Sequence, residues 1–265
     1  MSTLKETKIV RTCYAVVEKL NLTITKRYFR VFHAGSRYLC PLCSHSYDAF
    51  VPSGFKEKVL KDNKVIGGGY RMNVVCPNCG SGDRERLIYA FLKENRLIRK
   101  EMKMLHFAPE RRLLNSFEKE GMDYYSADLE SPIARIKMDV GKINFPDCYF
   151  DAIICNHVLE HVLDDKNAIK ELYRVLKSGG WAILQVPYSP ILPKTFEDSS
   201  VTTRSERRKV FGQSDHVRIY GKDYVNRLQS EGFRVEEKKV DVASTKKFAL
   251  NDEETIFLCT KITGA

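Results

Sequence analysis

Four of the eight cysteines form two CxxC pairs, a spacing that suits a metal ion better than a disulfide framework. Cys40 and Cys43 make the first pair, Cys76 and Cys79 the second, and 32 residues separate the pairs. In zinc sites each CxxC turn supplies two thiolates, about 2.3 Å from a tetrahedral ion. Four thiolates fill the coordination shell, so the sequence predicts a closed, structural zinc site. Chance pairing or a redox dithiol is the alternative. The long separation predicts an inserted hairpin around residues 56–70.

A second group of polar residues follows the short apolar run that ends at Phe107. The segment His106-Phe107-Ala108-Pro109-Glu110 lacks the glycine-rich turn of a dinucleotide fold, which disfavours NAD and FAD. Pro109 suits the first position of a helix, whose free amide groups attract a carboxylate. Small Ala108 would let a ligand approach the backbone, and Glu110 would accept a hydrogen bond from an ammonium group. The segment is therefore a candidate site for an amino-acid moiety; a simple helix-start acid is the alternative for Glu110.

Two aspartates follow the next two apolar runs. A carboxylate at Asp128 can accept hydrogen bonds from both hydroxyls of a ribose, and Asp139 can receive an adenine amino group. Either aspartate alone is also compatible with an ordinary turn. Because they end successive strands, together they favour a nucleoside site.

Three histidines are candidates for proton transfer. His157 and His161 follow the apolar run 150–156, and His216 lies in the long polar stretch 189–224. We predict His216 as the best general base and Arg218 as the group that binds an anionic part of a substrate. Helix packing for His161, and a surface loop with structural polar contacts for 189–224, are the alternatives.

The elements that carry these residues alternate between strand and helix. Strands are predicted at 104–107, 122–128, 134–140, 150–156, 181–187, 233–240 and 254–260, and helices at 83–97, about 109–121, 164–177 and 221–231. Asp83 is predicted to cap the first helix, and Gly179-Gly180 to stop the helix at 164–177. Buried strands that alternate with helices predict an α/β fold with a doubly wound, mostly parallel sheet.

The segment FDAIICNHVLEHVLDDKNAIKELYRVLKSGGWAILQVP, residues 150–187, resembles the class I S-adenosylmethionine-dependent methyltransferases, in particular their type 11 group. The resemblance extends over about 103–262. It implies a Rossmann-like, seven-stranded sheet that includes an antiparallel strand, with S-adenosyl-L-methionine as cofactor. The strand-one segment HFAPE differs from the glycine-rich signature of the family.

The resemblance also implies roles for single residues: Asp128 would bind the ribose, Asp139 would contact the adenine, and Asn156 and His157 would line the cofactor and substrate cleft. The predicted cofactor residues are His106, Ala108, Pro109, Glu110, Asp128, Leu129, Asp139, Val140, Asn156 and His157. The predicted catalytic residues are His216, His157 and Arg218.

The chain is expected to have four parts. They are a basic helical segment at 1–37, a zinc-ribbon-like module at 38–82, a linking helix at 83–102 and a methyltransferase domain at 103–265, in which 189–224 would form a substrate lid. Residues 1–103 contain 20 Lys and Arg against 9 Asp and Glu, so the net charge of +10 lies entirely in this part. That asymmetry indicates either contact with nucleic acid or an anionic membrane surface, or solubility alone.

The sequence leaves three functions open. The favoured one is methylation of a hydroxyl or amine on a small molecule, a glycan or a lipid-linked acceptor. The second is RNA methylation with the basic zinc ribbon as the RNA-binding part, although the N/D-P-P-Y/F signature of many amino-nucleobase methyltransferases is missing. The third is a non-catalytic binding protein with a degenerate cofactor site. Since no apolar run reaches the 18–20 residues of a membrane span and the start lacks a signal-peptide core, we expect a cytoplasmic protein.

Overall fold

A seven-stranded sheet forms the centre of the protein. The computed structural model describes residues 20–262; the apolar group at Val16 and Val17, predicted as part of an N-terminal helix, lies outside them. The strand order is β12-β13-β9-β8-β5-β6-β7. Their bounds are β5 Lys103–Phe107, β6 Asp123–Asp128, β7 Ile136–Lys137, β8 Phe150–Asn156, β9 Leu176–Gln185, β12 Arg234–Lys238 and β13 Ile256–Thr260.

The pairing within this sheet is mostly parallel. Strand β5 pairs in parallel with both β6 and β8, and β8 continues in parallel to β9, whereas β13 is antiparallel to β9 and to β12. Buried apolar side chains cover both faces of the sheet. The predicted fold class is therefore confirmed. Because the chain moves outward from β5 in one direction and from β8 in the other, the topological switch point lies between these two strands.

The helices of this domain are shorter than the sequence pattern predicts. Their bounds are α3 Asp83–Glu94, α4 Arg111–Phe117, α5 Asp165–Val175, α7 Tyr224–Ser230 and α8 Val242–Lys247. Gly82, not Asp83, is the N-cap of α3, because the buried Asp83 carboxylate pairs with Arg71 at 2.5 Å. The glycines at 179–180 do not end α5: Leu176 of β9 already pairs with Phe150 of β8, so sheet pairing ends the helix at Val175, before the predicted end at 177.

The N-terminal module consists of a helix, α1, described over 20–32, and two small hairpins. Strands β1 Ala34–Leu39 and β2 Ser46–Tyr47 form the first hairpin, and β3 Val51–Ser53 pairs with β4 Arg71–Val75 in the second. The insertion between the cysteine pairs contains the short helix α2 Lys58–Asp62, where a hairpin was predicted; the strands flank the insertion. No helix within residues 20–262 is long and apolar enough to cross a membrane.

The polar stretch 189–224 contains β10 Phe196–Glu197, α6 Arg204–Phe211 and β11 Arg218–Ile219. Phe211 and Ile219 are buried in a small core with Leu60 and Val65 of the insertion. This packing joins the stretch to the N-terminal module. It fits a fixed wall better than the mobile lid that the sequence suggests.

Arg86 of α3 links the N-terminal module to the sheet domain. The fully buried guanidinium donates to the carbonyl oxygens of five residues and lies 4.7 Å from the Phe50 ring centre. Those residues are Asn73, Val74 and Ser81 in the module, and Phe248 and Ala249 after α8. One charged group thus satisfies acceptors from both parts of the molecule.

Candidate functional site

The four cysteines of the CxxC pairs meet at one point. The Sγ atoms of Cys40 and Cys79 lie 3.7 Å apart, and those of Cys43 and Cys76 lie 3.8 Å apart. Thiolates at the corners of a tetrahedron around zinc lie about 3.8 Å apart when each Zn–S bond is about 2.3 Å. Cys40, Cys76 and Cys79 are buried. The spacing and burial of the sulfur atoms therefore fit a zinc ion held by four thiolates.

The two turns that carry these thiolates have the same backbone geometry. The amide of Ser44 donates to the Cys40 carbonyl at 2.8 Å, and the amide of Gly80 donates to the Cys76 carbonyl at 2.9 Å. Ser44 and Gly80 both have positive φ angles, 58° and 81°. Glycine suits this conformation, which makes Gly80 the turn signal that the sequence displays, whereas Ser44 gives no such signal.

At the end of β5 the backbone turns through a residue with a positive φ angle. Ala108 has a φ of 48°, in the left-handed region that favours glycine. Its amide donates to the Ala127 carbonyl at 2.9 Å, which fixes the turn against the end of β6. An alanine therefore keeps the conformation although the glycine is missing.

Glu110 connects the ends of β5 and β8. His106 Nε2 lies 3.0 Å from Glu110 Oε2, and Asn156 Nδ2 donates to Glu110 Oε1 at 3.1 Å. The other ring nitrogen of His106 lies 2.9 Å from the Tyr124 hydroxyl, so this fully buried histidine has both nitrogens engaged. Burial would raise the pKa of Glu110, but the contacts with His106 and Asn156 outweigh it and hold the pKa below its ordinary value. Glu110 is thus a fixed carboxylate at the switch point.

The two predicted nucleoside-binding aspartates lie at the ends of β6 and beyond β7. Asp128 Oδ1 accepts from the amides of Glu130 and Ser131 at 2.7 and 2.6 Å, and Asp139 Oδ1 accepts from Gly141 at 2.8 Å. In the described part of the chain, the Oδ2 atoms of both aspartates accept no hydrogen bond. Of the neighbours predicted to join them, Leu129 is exposed and Val140 is buried. Each aspartate can therefore still accept from a ligand.

A polar cavity of about 610 Å³ opens beside the end of β8. One wall comes from the N-terminal module, through residues 53–55 together with Gly67, Gly68 and Arg71, and the other from the sheet domain. The sheet-domain wall includes His157, Glu160, His161 and His216. A larger cavity of about 940 Å³ lies near α8, but it contains none of the predicted site residues. We therefore take the smaller cavity as the candidate acceptor site.

His157 and Glu160 form a buried pair in this cavity. His157 Nδ1 lies 3.1 Å from Glu160 Oε1, whereas His157 Nε2 and Glu160 Oε2 are buried without a hydrogen-bond partner among residues 20–262. Burial, followed by the nearby Arg84 cation, holds the pKa of His157 well below its ordinary value. Burial raises the pKa of Glu160 to about 8. Near neutral pH His157 is therefore an uncharged imidazole with one nitrogen available.

His216 lies in the same cavity, as the sequence prediction requires of an acceptor-side residue. Its ring is T-shaped to that of His161, with ring centres 4.8 Å apart. Burial lowers the pKa of His216 to about 3, so it too is neutral near pH 7. Within residues 20–262 neither ring nitrogen of His216 forms a hydrogen bond.

Arg218 does not line this cavity. Its guanidinium donates to the carbonyl oxygens of Leu159, Val162 and Leu163, and pairs with Glu197 at 2.9 Å. Only 3% of the side chain is exposed. These contacts argue against the predicted role in binding an anionic substrate group. They favour a role in holding the turn 159–163 against β11.

Arg84 is the basic residue that the sequence analysis missed. It lines the cavity, and its guanidinium has no hydrogen-bond or ion-pair partner among the described residues. Its neighbour Asp83 also lines the cavity but is paired with Arg71, whereas Arg86 is buried against backbone carbonyl groups. The amphipathic helix pattern gave no signal for Arg84, because the cavity forms only when the N-terminal module packs on the sheet domain.

Residues 104–184 match a protein family described as a methyltransferase domain. No curated protein matches the sequence. Among solved structures, the YcgJ protein from Bacillus subtilis is similar at 13% identity over 67% of this chain and 100% of that chain, with a TM-score of 0.47. A methyltransferase from Burkholderia thailandensis, solved with 1,6-didemethyltoxoflavin and S-adenosylhomocysteine, is similar at 14% identity over 66% and 76%, with a TM-score of 0.44. An S-adenosylmethionine-dependent methyltransferase from Archaeoglobus fulgidus is similar at 16% identity over 58% and 72%, with a TM-score of 0.42.

At such identities and TM-scores these structures say nothing about the acceptor. The family match covers β5 to β9, the strands whose ends carry Ala108, Asp128 and Asn156. Over β5 to β9 the sheet domain of this chain therefore matches the methyltransferase-domain family.

Proposed function

We propose that the protein transfers a methyl group from S-adenosylmethionine to a hydroxyl or amine of a small-molecule, glycan or lipid-linked acceptor. The observation that carries this proposal is the polar cavity beside the end of β8, which is lined by His157, the residue that follows Asn156. In this fold class ligands bind beyond the carboxyl ends of the strands at the switch point. A cavity there is well placed to bring an acceptor to a cofactor.

The cofactor would be held by side chains at three neighbouring strand ends. Asp128 would accept from the ribose hydroxyls and Asp139 from the adenine amino group, since each keeps a carboxylate oxygen without a partner within 20–262. Glu110 would accept from the ammonium group, with Ala108 and Pro109 beside it. His106 would act only through Glu110, because both of its ring nitrogens are engaged. When bound, S-adenosylmethionine supplies an electrophilic methyl group on a sulfonium.

His157 is the residue that fits best as the base for a hydroxyl acceptor. It follows Asn156 directly at the end of β8, its pKa is low enough to leave it neutral, and Nε2 has no partner. Neutral imidazole can accept the proton that the hydroxyl loses as the methyl is transferred. Arg84, with its unpaired guanidinium, would bind an anionic group such as a carboxylate or phosphate of the acceptor.

The four cysteines would hold a structural zinc ion in a module that covers 38–82, with the helical segment before it and α3 linking it to the domain at 103–265. A site with four thiolates has no open position for a substrate. The ion would therefore shape the cavity wall and take no part in methyl transfer.

The test begins with calorimetry of the purified, zinc-loaded chain. S-adenosylmethionine should bind to wild type and bind at least about tenfold more weakly to Asp128→Asn, since one charge-assisted hydrogen bond contributes about 1.5–3 kcal/mol. Glu130→Gln, next to the site but exposed, is the matched control. No heat with wild type would contradict cofactor binding.

The acceptor class is tested with a labelled methyl donor and cell extract fractionated into RNA, lipid and small molecules. Label in the small-molecule, glycan or lipid fractions supports the proposal, and Arg84→Ala should raise KM for the labelled acceptor more than it lowers kcat. Label confined to RNA would overturn the proposed acceptor class.

A further inference from the structure

Three side chains in the acceptor cavity have the composition of a metal site. Glu160, His161 and His216 each offer one ligand atom, and these atoms lie within 4.8 Å of one another. Two histidines and one carboxylate form a known ligand set of catalytic zinc sites, which keep a further position open. This group is separate from the four cysteines and belongs to the sheet domain.

The buried Glu160 carboxyl group is an independent sign of a missing partner. Only 1% of its side chain is exposed, and Oε2 has no hydrogen-bond partner in the part of the chain that the structure describes. An unpaired polar oxygen in such a place is costly unless a cation or a proton compensates it. A divalent cation at the cavity side would provide the missing interaction.

The surroundings of the three groups resemble the outer shell of a metal site. His161 Nδ1 lies 3.3 Å from the Asp215 carbonyl oxygen and 3.6 Å from Asp215 Oδ2, which leaves Nε2 directed toward Glu160 at 4.0 Å. His157 Nδ1 contacts the same Glu160 oxygen, Oε1, at 3.1 Å, so Oε2 is the oxygen left without a partner among the described residues. Metal-binding histidines and carboxylates are commonly oriented by such neighbours.

The backbone holds the ligands in fixed positions. The Val217 amide donates to the Glu160 carbonyl at 2.9 Å, so the segment that carries His216 is tied to the turn that carries Glu160 and His161. Arg218 binds the same turn from the other side through Leu159 and Leu163. Ligand atoms about 2.1 Å from a tetrahedral zinc ion lie about 3.4 Å apart, so atoms within 4.8 Å of one another would have to approach by up to about 1.4 Å.

We propose that Glu160, His161 and His216 bind a second divalent ion of the zinc class, with an open coordination position that faces the acceptor cavity. The open position would take an oxygen or nitrogen donor of the acceptor. His216 would then be a ligand and not the general base that the sequence suggests. The inference extends the proposed function by naming what orients the acceptor.

Metal analysis of the full-length chain tests this directly. After loading with Zn²⁺ and removal of weakly bound metal, wild type and the control His33→Ala should retain two equivalents per chain. His216→Ala and the nearly isosteric Glu160→Gln should retain one. One equivalent in wild type, or two in both variants, would overturn the proposal.

Cobalt substitution separates the two sites even if one variant folds poorly. Co²⁺ at the cysteines should give thiolate charge-transfer absorption, and Co²⁺ at the second site only ligand-field bands. Glu160→Gln should abolish the second set and keep the first, whereas Asp215→Asn should weaken Co²⁺ at the second site about 10- to 100-fold. Charge-transfer bands alone in wild type would contradict the second site.

Binding of S-adenosylmethionine is measured on the same samples. If the protein retained one zinc equivalent and bound the cofactor, only the proposal of a second metal site would be contradicted. If the protein retained two zinc equivalents and did not bind the cofactor, only the proposed methyl transfer would be contradicted.

Discussion

Ala108 is a residue whose type is read from the sequence but whose backbone conformation is not. The sequence shows that the glycine of the family signature is missing, but residue type alone does not tell that alanine keeps the left-handed turn. That conformation is imposed by the pairing of β5 with β6 and β8, which are distant in the chain. The positions of Asp128 and Asn156 at strand ends, in contrast, follow directly from the apolar runs that precede them.

Substitution of Ala108 tests this turn. Ala108→Gly should leave stability unchanged or raise it by up to about 1 kcal/mol, because glycine adopts positive φ without strain. Ala108→Val should lower stability by about 1–3 kcal/mol, since a β-branched side chain fits that region poorly. Thermal unfolding measures both changes. Equal midpoints for the two variants would mean that the turn is not strained.

Glu254 should make stability depend on pH. Burial, with Asp83 nearby, raises the pKa of this carboxyl from 4.5 to about 7. The Glu254 carboxyl stays protonated to a higher pH in the folded state than in the unfolded chain. The free energy of unfolding should therefore fall as pH rises from about 4.5 through 7, with a contribution of roughly 3 kcal/mol from this group.

Glu254→Gln should remove that fall, as the amide does not ionise. Urea denaturation of both proteins between pH 5 and 8 makes the comparison, with exposed Glu253→Gln as the control. Parallel curves for Glu254→Gln and wild type would contradict the raised pKa.

At the scale of elements, the polar stretch 189–224 departs most from its prediction. Its length and charge predict a lid, but β11 and α6 pack against Leu60 of the insertion, and Arg218 joins β11 to the turn at 159–163. Arg218 is in fact buried and is paired with Glu197 and Asp165. The sequence could not show this, because the partners Asp165 and Glu197 lie far along the chain.

Loss of the Arg218 guanidinium should therefore affect folding before it affects substrate binding. Arg218→Ala leaves three carbonyl oxygens without their donor and should cost about 2–4 kcal/mol. Arg204→Ala, exposed in the same stretch, should cost less than about 0.5 kcal/mol. Chemical denaturation gives both values. If Arg218→Ala kept full stability but lost acceptor affinity, the sequence prediction would be right after all.

At the scale of the whole molecule, two parts with separate sequence signals form one structure. The apolar pattern predicted a doubly wound sheet, the family resemblance implied its seven strands, and the CxxC spacing predicted the cysteine cluster. Neither pattern predicted how the parts pack together, since that contact depends on Arg86 and on carbonyl groups, which every residue has. The acceptor cavity lies at this junction, so its lining was the least predictable part of the site.

Arg86 is expected to be the most sensitive position at the junction. Arg86→Leu removes the donor for five buried carbonyl oxygens and should lower the free energy of unfolding by about 3 kcal/mol or more. Exposed Arg96→Lys serves as the control. A Leu variant as stable as wild type would show that water replaces the guanidinium.

Removal of zinc should loosen the N-terminal module while the sheet persists. Zinc binding contributes free energy to the folding of this module, and removal of the ion removes that contribution. A chelator should therefore lower the unfolding midpoint of residues 34–82 first. Hydrogen exchange read by mass spectrometry separates this region from β5–β9. Uniform loss of protection across both regions would contradict a separable module.

The shared cavity wall constrains how such a chain can diversify. A methyltransferase domain without residues 53–55 and 67–71 would keep the strand ends that are proposed to bind the methyl donor. It would lack one wall of the acceptor cavity. Acceptor preference in relatives of this architecture should thus vary with the sequence between the cysteine pairs, a region that contains none of the residues proposed to hold the donor.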